Sequence, residues 1–356
     1  YQNSFFLHKV PSAFSGKTLI AAYPPSTPYA IYEHQAWFSD QWDPMQYGRK
    51  WEVQTDFFSQ FATLRGKVPR PNLVSDPTNI GSDYTNNSTN LKNCYLTFNT
   101  ISGENLYYFD CCDGSKDCVD ADGLWDCDTC YKGLVLHDCY KCHFSLECRE
   151  CMESAFLFDC RNCSYCFMSS NLRNKKYYFR NKPFSKEEYE KEMKKINFGS
   201  YTEQARYSKE FEELIRNAAY KPDHNFRSTN CAGDFIEYSK ECYMSFFIYE
   251  GQNVNYSLGN IGYKDSYDIC GGAGGELCYE LMTVSTKNNY NVRFSSQVDN
   301  CRNVEYSDLL RNCHDCFGCI GLAHKSFCIF NTQYTEDEYY PLLDEIKCAM
   351  LARGDY

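Results

Sequence analysis

Cysteines separated by two residues are the part of this sequence whose residue types and spacing could do chemistry. They form three pairs and two triple clusters: Cys127/Cys130, Cys139/Cys142, Cys148/Cys151, Cys160/Cys163/Cys166 and Cys313/Cys316/Cys319. A zinc or iron–sulfur site needs four converging ligands, and paired CxxC turns supply them. The best metal candidates are the two triple clusters, and His314 could give the second a fourth ligand.

The cysteines also recur in register, which favours a structural role. Four interleaved sets repeat every 21 residues, beginning at Cys118, Cys127, Cys130 and Cys142. Such a period is typical of a solenoid in which each turn stacks on the last. We therefore favour thiol ladders over metal ligands, and metal ligands over disulfides; no cofactor is expected, with zinc as the alternative. The predicted ladder comprises Cys118, Cys127, Cys130, Cys139, Cys142, Cys148, Cys151, Cys160 and Cys163.

The elements that must position these cysteines are short strands joined by corners. Most of these cysteines directly follow Asp, Asn or Glu, and the anchor positions from 94 to 160 are 12 or 9 residues apart. Two such segments would form one coil of about 21 residues, which suits a parallel β-helix. The residue before the cysteine would occupy the corner, because Asp and Asn tolerate the left-handed conformation.

An internal duplication extends this organisation to the second half of the chain. Residues 161–190 align without gaps with residues 311–340, and both copies end in a capping box, Ser185/Glu188 and Thr335/Glu338. We predict a mainly β fold, a duplicated right-handed parallel β-helix with α-helical caps and a small N-terminal α+β domain. The expected domains are a Trp-rich cap (1–75), a first Cys-rich array (76–184), a helical connector (185–227), a second array (228–332) and a C-terminal helical cap (333–356).

Composition narrows the possible partners. The net charge of −11 disfavours direct nucleic-acid binding, which needs a basic surface. No run of 18 apolar residues predicts a membrane span. The 31 Tyr and 25 Phe residues could form a stacking face for carbohydrates or bases, but interior ladders are the favoured interpretation.

The sequence gives little support to catalysis. GxSxG, P-loop and HExxH motifs are missing, so no catalytic residue is assigned. Cysteines that follow Asp or Glu have a raised pKa, which disfavours thiol redox chemistry. Acidic residues cluster between Asp110 and Asp128 and could serve a carbohydrate-active β-helix enzyme, although corner capping is favoured. With coils of about 20 residues, Asp117 and Asp138 would stack.

Several motifs resemble a family of uncharacterised cysteine-rich proteins from ultra-small uncultured bacteria, in which a zinc ribbon precedes a β-helix. The matching segments are Trp42-Asp43-Pro44, Tyr47-Gly48-Arg49, Val68-Pro69-Arg70-Pro71-Asn72-Leu73, Asn93-Cys94-Tyr95, Lys116-Asp117-Cys118-Val119-Asp120 and Phe330–Tyr339. The likeness covers roughly residues 15 to 345. The ribbon cysteines are absent here, so the resemblance implies the fold and no N-terminal zinc site.

These observations favour a non-enzymatic structural or interaction protein, a rigid scaffold with Cys and aromatic ladders that docks into a larger assembly or a homo-oligomer. A zinc-binding protein that uses the CxxCxxC clusters is the first alternative, and a carbohydrate-active β-helix enzyme is the second. For localisation we favour the cytoplasm, which keeps thiols reduced, over the cell surface or export.

Overall fold

The chain is mainly β, as the sequence predicts, with 39% strand and 20% helix. The computed structural model describes residues 6–125, 134–136, 150–271, 274–282 and 288–356. Contacts divide the chain into two compact units. Val74–Lys221 form the first, and Leu7–Leu73 join Pro222–Tyr356 in the second.

The N-terminal segment of the second unit holds short strands and helices: β1 (His8–Pro11), β2 (Thr18–Ala21), β3 (Ile31–Tyr32), α1 (His34–Trp37), a 3-10 helix (Pro44–Tyr47), α2 (Phe57–Lys67) and β4 (Arg70–Pro71). The Asp56 side chain caps α2 by accepting from the Ser59 N–H. The sequence indicates a helix that ends before Gly66; in the structure α2 runs through Gly66 to Lys67.

The first unit contains nine described strands followed by two helices: β5 (Leu91–Lys92), β6 (Tyr95–Thr100), β7 (Gly103–Asp113), β8 (Ser115–Trp125), β9 (Leu134–Leu136), β10 (Ala155–Phe158), β11 (Ser164–Ser170), β12 (Lys176–Phe179), β13 (Lys182–Pro183), α3 (Lys186–Met193) and α4 (Tyr201–Arg216). Neighbouring strands from β5 to β12 pair in parallel, and paired residues lie 12 apart in the chain, as Leu106 and Cys118 do.

The second unit continues with twelve strands and a long helix: β14 (Ala232–Glu237), β15 (Tyr243–Tyr249), β16 (Gln252–Asn255), β17 (Leu258–Ile261), β18 (Lys264–Cys270), β19 (Gly275–Glu276), β20 (Tyr279–Met282), β21 (Asn289–Ser296), β22 (Arg302–Glu305), β23 (His314–Phe317), β24 (Ser326–Ile329), β25 (Thr332–Gln333) and α5 (Glu336–Arg353). These strands form one sheet. Pairing from β14 to β24 is parallel, and β25 turns back antiparallel.

A three-residue pattern explains how the chain returns beside itself so quickly. Around Cys160, the residues 154, 157, 160, 163, 166 and 169 are all buried, and the residue before each has positive φ. A left-handed residue at every third position turns the backbone after each short extended stretch. Four such triplets make 12 residues, which is the observed pairing offset.

The predicted coil length of about 21 residues is therefore wrong, because paired residues lie 12 apart. Since 9, 12 and 21 are all multiples of three, any of them keeps a residue in the same three-residue frame. Cysteine spacing thus reports the frame, while backbone pairing selects 12. Asp117 consequently lies beside Asn105, whose Nδ2 donates to Asp117 Oδ1 at 2.7 Å, and not beside a residue 21 positions away.

Two departures from this offset occur in the second unit. Phe226, Thr229 and Ala232 pair with residues 11 positions later, and the offset returns to 12 at Gly233. Gly233 has φ +146°, and a Cβ there would lie 1.9 Å from the Ser245 carbonyl oxygen, so only glycine fits. Gly275 pairs with Asn289, 14 positions later.

Each array ends in an antiparallel turn and a capped helix. The strands β11, β12 and β13 and helix α3 begin at 164, 176, 182 and 186, and β23, β24, β25 and α5 begin 150 positions later. Both predicted capping boxes are present. The turn back and the helix cover the last strand, which otherwise would expose unpaired backbone groups.

Candidate functional site

The described cysteines of the predicted ladder are buried beneath the strands. Cys118, Cys151, Cys160 and Cys163 are at most 1% exposed, and each follows a residue with positive φ. The Cys118 Sγ donates to the Lys116 carbonyl at 2.9 Å, and the Cys163 Sγ donates to the Arg161 carbonyl at 3.2 Å. A carbonyl two residues earlier therefore satisfies a thiol at this position. Cys127, Cys130, Cys139, Cys142 and Cys148 lie outside the described residues.

The two triple clusters are also interior. Cys160, Cys163, Cys166, Cys313, Cys316 and Cys319 are all buried, and their thiols donate to backbone carbonyls. Within the described ranges, no three His, Cys, Asp or Glu side chains come together in a way that could hold a metal ion.

His314 does not complete the second cluster. Its side chain is exposed on the outward side of β23, and its Nδ1 lies 2.8 Å from Asp315 Oδ2. The inward position belongs to its neighbours Cys313 and Cys316, because consecutive strand residues point to opposite sides. The prediction that His314 supplies a fourth ligand is wrong for this reason.

Burial makes these thiols poor nucleophiles. It raises the pKa of Cys278 and of Cys242 to about 11 in each case. At neutral pH such thiols are protonated, and only the thiolate attacks or binds metal.

The structure reveals a feature of the outer surface that spans the second unit. Eight outward residues pair one after another across the sheet, and we call them the outer ladder: Tyr243, Asn255, Tyr267, Tyr279, Arg293, Glu305, Phe317 and Ile329. The next residue in each case has positive φ, and these eight form the corner row: Met244, Tyr256, Asp268, Glu280, Phe294, Tyr306, Gly318 and Phe330. Ladder and row lie side by side.

Aromatic rings are in contact along this surface. Ring centroids are 5.1 Å apart for Tyr256 and Tyr267, 6.2 Å for Tyr267 and Tyr279, and 5.3 Å for Tyr279 and Phe294. Phe294 stacks on Tyr306 at 4.8 Å with the ring planes only 9° apart. The five rings therefore form one continuous run, at the separations that aromatic pairs favour.

One end of this surface is covered by the chain's own helices. Phe57 of α2 packs 5.1 Å from Tyr306, 5.0 Å from Phe317 and 5.2 Å from Phe330. Lys347 of α5 forms a 2.7 Å ion pair with Glu305, and its Nζ lies 5.6 Å from the Phe317 ring centre. The helices thus bind the surface through aromatic packing and a cation placed between a carboxylate and a ring.

The other end is open. The exposed fraction is 60% for Tyr243 and 39% for Tyr267, against 9% for Tyr306 and 1% for Phe317. We call the open part, residues 243–244, 256, 267–268 and 279–280, the aromatic face. It is chemically like the covered end, with aromatic rings beside carboxylates, but no described helix lies on it.

A cavity of about 660 Å³ lies where the covering helices end. Phe58, Phe61 and Arg65 of α2 line one side, and Glu280, Phe294 and Tyr306 line another, with Asp308, Asp355 and Tyr356 also contributing. Asp308 is already paired with Arg70 at 2.6 Å and with Arg65 at 3.7 Å.

The position of these aromatic residues differs from the prediction. The sequence favours interior aromatic ladders, yet the inward positions of this unit are filled by small or aliphatic residues such as Ser245, Val254 and Cys278. A 12-residue turn leaves little room for rings inside, so most rings are placed outside. The three-residue frame was the available signal, because Tyr243, Tyr267 and Tyr279 each directly follow an inward residue.

Acidic residues surround the aromatic face. Residues 234–282 contain eight Asp or Glu and two Lys, a balance of −6. Among them, Asp268 and Glu280 belong to the corner row itself. The pKa of Tyr279 is raised by the hydrogen bond with Glu280 and by its charge.

No protein-family model matches this chain, and no curated protein matches it. In the part of the chain that the structure describes, no helix has the length and apolar character needed to cross a membrane.

Proposed function

We propose that this protein is a non-enzymatic scaffold, a duplicated right-handed parallel β-helix whose outer surface docks onto protein partners in a larger assembly. The observation that carries the proposal is the outer ladder, because parallel pairing at a nearly constant offset runs without a break from Tyr243 to Ile329. Stacked coils give a stiff rod with an extended surface, which is how solenoids bind partners.

Hydrogen bonds inside the proposed coils support a rigid rod. The Ser307 Oγ donates to the Glu305 carbonyl at 2.9 Å and accepts from the Cys319 N–H at 3.1 Å, and Ser295 Oγ accepts from Ser307 N–H at 3.2 Å. Each inward hydroxyl therefore connects one coil with the next. Buried polar groups that are fully satisfied rigidify a fold.

The corner positions connect the coils on the outside as well. Asn291 Nδ2 donates to Asn303 Oδ1 at 2.9 Å, and Asn303 Nδ2 donates to Asp315 Oδ1 at 3.0 Å. These side chains combine a residue type that accepts positive φ with a ladder of amide hydrogen bonds.

The experiment that tests the scaffold against the zinc alternative is metal analysis of the protein purified under reducing conditions. A scaffold contains far less than one zinc per chain, and a chelator leaves its circular dichroism and melting temperature unchanged. Stoichiometric zinc whose removal unfolds the protein would overturn the proposal, because structural zinc contributes directly to folding.

A further inference from the structure

We infer that the aromatic face is a docking site for an amphipathic helix of another protein that carries Lys or Arg beside apolar side chains. The inference rests on the proposed scaffold function and names the class of partner. It comes from the covered end of the same surface, where α2 and α5 show how this ladder binds a helix.

The covered end gives the recognition rule. Lys347 on α5 contacts Glu305 of the outer ladder, and its Nζ lies over the rings of Phe317 and Tyr356 at 5.6 and 5.0 Å. Phe57 on α2 supplies the apolar contact with Tyr306. A helix therefore binds this ladder with one basic residue and one aromatic residue.

The open end offers the same groups without a helix. Tyr267 and Tyr279 occupy the outer ladder, and Asp268 and Glu280 lie next to them in the corner row. Within the described ranges, no Lys or Arg forms an ion pair with either carboxylate. A basic side chain of a partner would meet carboxylate and ring together, as Lys347 does.

The cavity fixes where the partner helix would end. It lies between α2 and the aromatic face, and Glu280 and Asp355 are lining carboxylates with no ion pair among the described residues. An Arg or Lys at the end of the partner helix would enter it between Phe61 and Tyr306. The negative balance of −6 over residues 234–282 favours a basic partner over an acidic one.

The test uses the full chain and two synthetic 18-residue helices labelled with a fluorophore. The probe carries Phe, Leu and Lys along one face at i, i+3 and i+4 spacing, and the control peptide has Glu in place of each Lys. Fluorescence anisotropy should show saturable binding of the Lys peptide, at least about tenfold weaker binding of the Glu peptide, and weakening by salt.

Two variants locate the binding. Tyr256→Asn removes a ring of the aromatic face, and Glu280→Gln removes a carboxylate; each should weaken binding of the Lys peptide about tenfold or more. Tyr238→Asn is the matched control, because Tyr238 is also exposed at positive φ but belongs to neither the outer ladder nor the corner row. It should bind like the wild type.

Three results would overturn the inference: no saturable binding, equal binding of both peptides, or equal effects of Tyr256→Asn and Tyr238→Asn. A chain that dimerises through this face, so that Tyr256→Asn alone yields monomers in sedimentation, would also overturn it by identifying a second copy as the occupant. Unchanged melting temperatures show that the scaffold survives, so a failure here is distinguishable from failure of the proposed function.

Discussion

Cys316 and Cys328 are partners in neighbouring parallel strands, and both thiols are buried. Each donates to the carbonyl two residues earlier, His314 and Ser326, at 3.4 Å. Two cysteines 12 residues apart thus have the same environment. This local rule, repeated along both arrays, leads to the following expectations for substitutions.

Replacing an inward cysteine by serine should be inexpensive. Cys319 follows Ser295 and Ser307 in the same inward ladder, and its Sγ already donates to the Phe317 carbonyl at 3.5 Å. A serine hydroxyl can make that bond, so we expect Cys319→Ser to cost about 1 kcal/mol or less. Cys319→Asp buries a carboxylate and should cost about 3 kcal/mol or more. Urea unfolding measures both, and equal costs would contradict this view of the interior.

The corner row of asparagines should resist β-branched residues. Asn303 has φ +51° and makes amide hydrogen bonds to Asn291 and Asp315. Asn303→Gly loses those bonds but keeps the conformation, whereas Asn303→Val also strains the backbone. We expect the valine variant to be less stable than the glycine variant by about 1–2 kcal/mol. Thermal unfolding of the pair decides it; a valine variant as stable as the glycine variant speaks against a left-handed corner.

Glycine at an inward position is required by space. A Cβ at Gly275 would lie 2.9 Å from the Asn289 carbonyl oxygen and 3.0 Å from Cys278 Sγ. Gly275→Ala should therefore destabilise by about 1–3 kcal/mol. Gly66 is the matched control, since it is exposed in α2 with nothing within 4 Å of a Cβ, so Gly66→Ala should stabilise by about 0.5–1 kcal/mol. The same sign for both in denaturant unfolding would be the contrary result.

Acid should weaken the first unit through Asp159. Burial raises the pKa of this carboxyl, but the hydrogen bonds and charges of Lys221 and Arg173 outweigh it, so the net pKa is lowered. A carboxyl with a lower pKa in the folded state stabilises above its unfolded pKa of about 3.9, and this contribution is lost as the pH falls through the folded pKa.

We therefore expect Asp159→Asn to be less stable than the wild type at pH 6 and the difference to shrink below about pH 4. Denaturant unfolding between pH 2 and 7 measures this. Glu187→Gln, at an exposed position on α3, is the control and should keep the wild-type pH profile. A gap between Asp159→Asn and wild type that stays constant down to pH 2 would show that these charges do not act on folding.

Much of the local structure was predictable from sequence. Ser185 and Glu188 predict the start of α3, and the Asp and Asn residues before cysteines predict left-handed corners, because these signals depend on a few adjacent atoms. The offset of 12 was not predictable from the cysteines, since Cys, Ser, Val and Leu are interchangeable at inward positions. The covering of Phe317 by Phe57 joins residues 260 positions apart, which no local pattern reports.

The most direct test of the 12-residue return is a designed cross-link on the outer surface. Lys240 and Gln252 are exposed and paired in parallel, so Lys240→Cys/Gln252→Cys places two thiols within disulfide range. Lys240→Cys/Ile261→Cys, 21 residues apart, is the comparison. Mass spectrometry after mild oxidation should find the 240–252 bridge in high yield and no 240–261 bridge. A 240–261 bridge, with none between 240 and 252, would contradict the account.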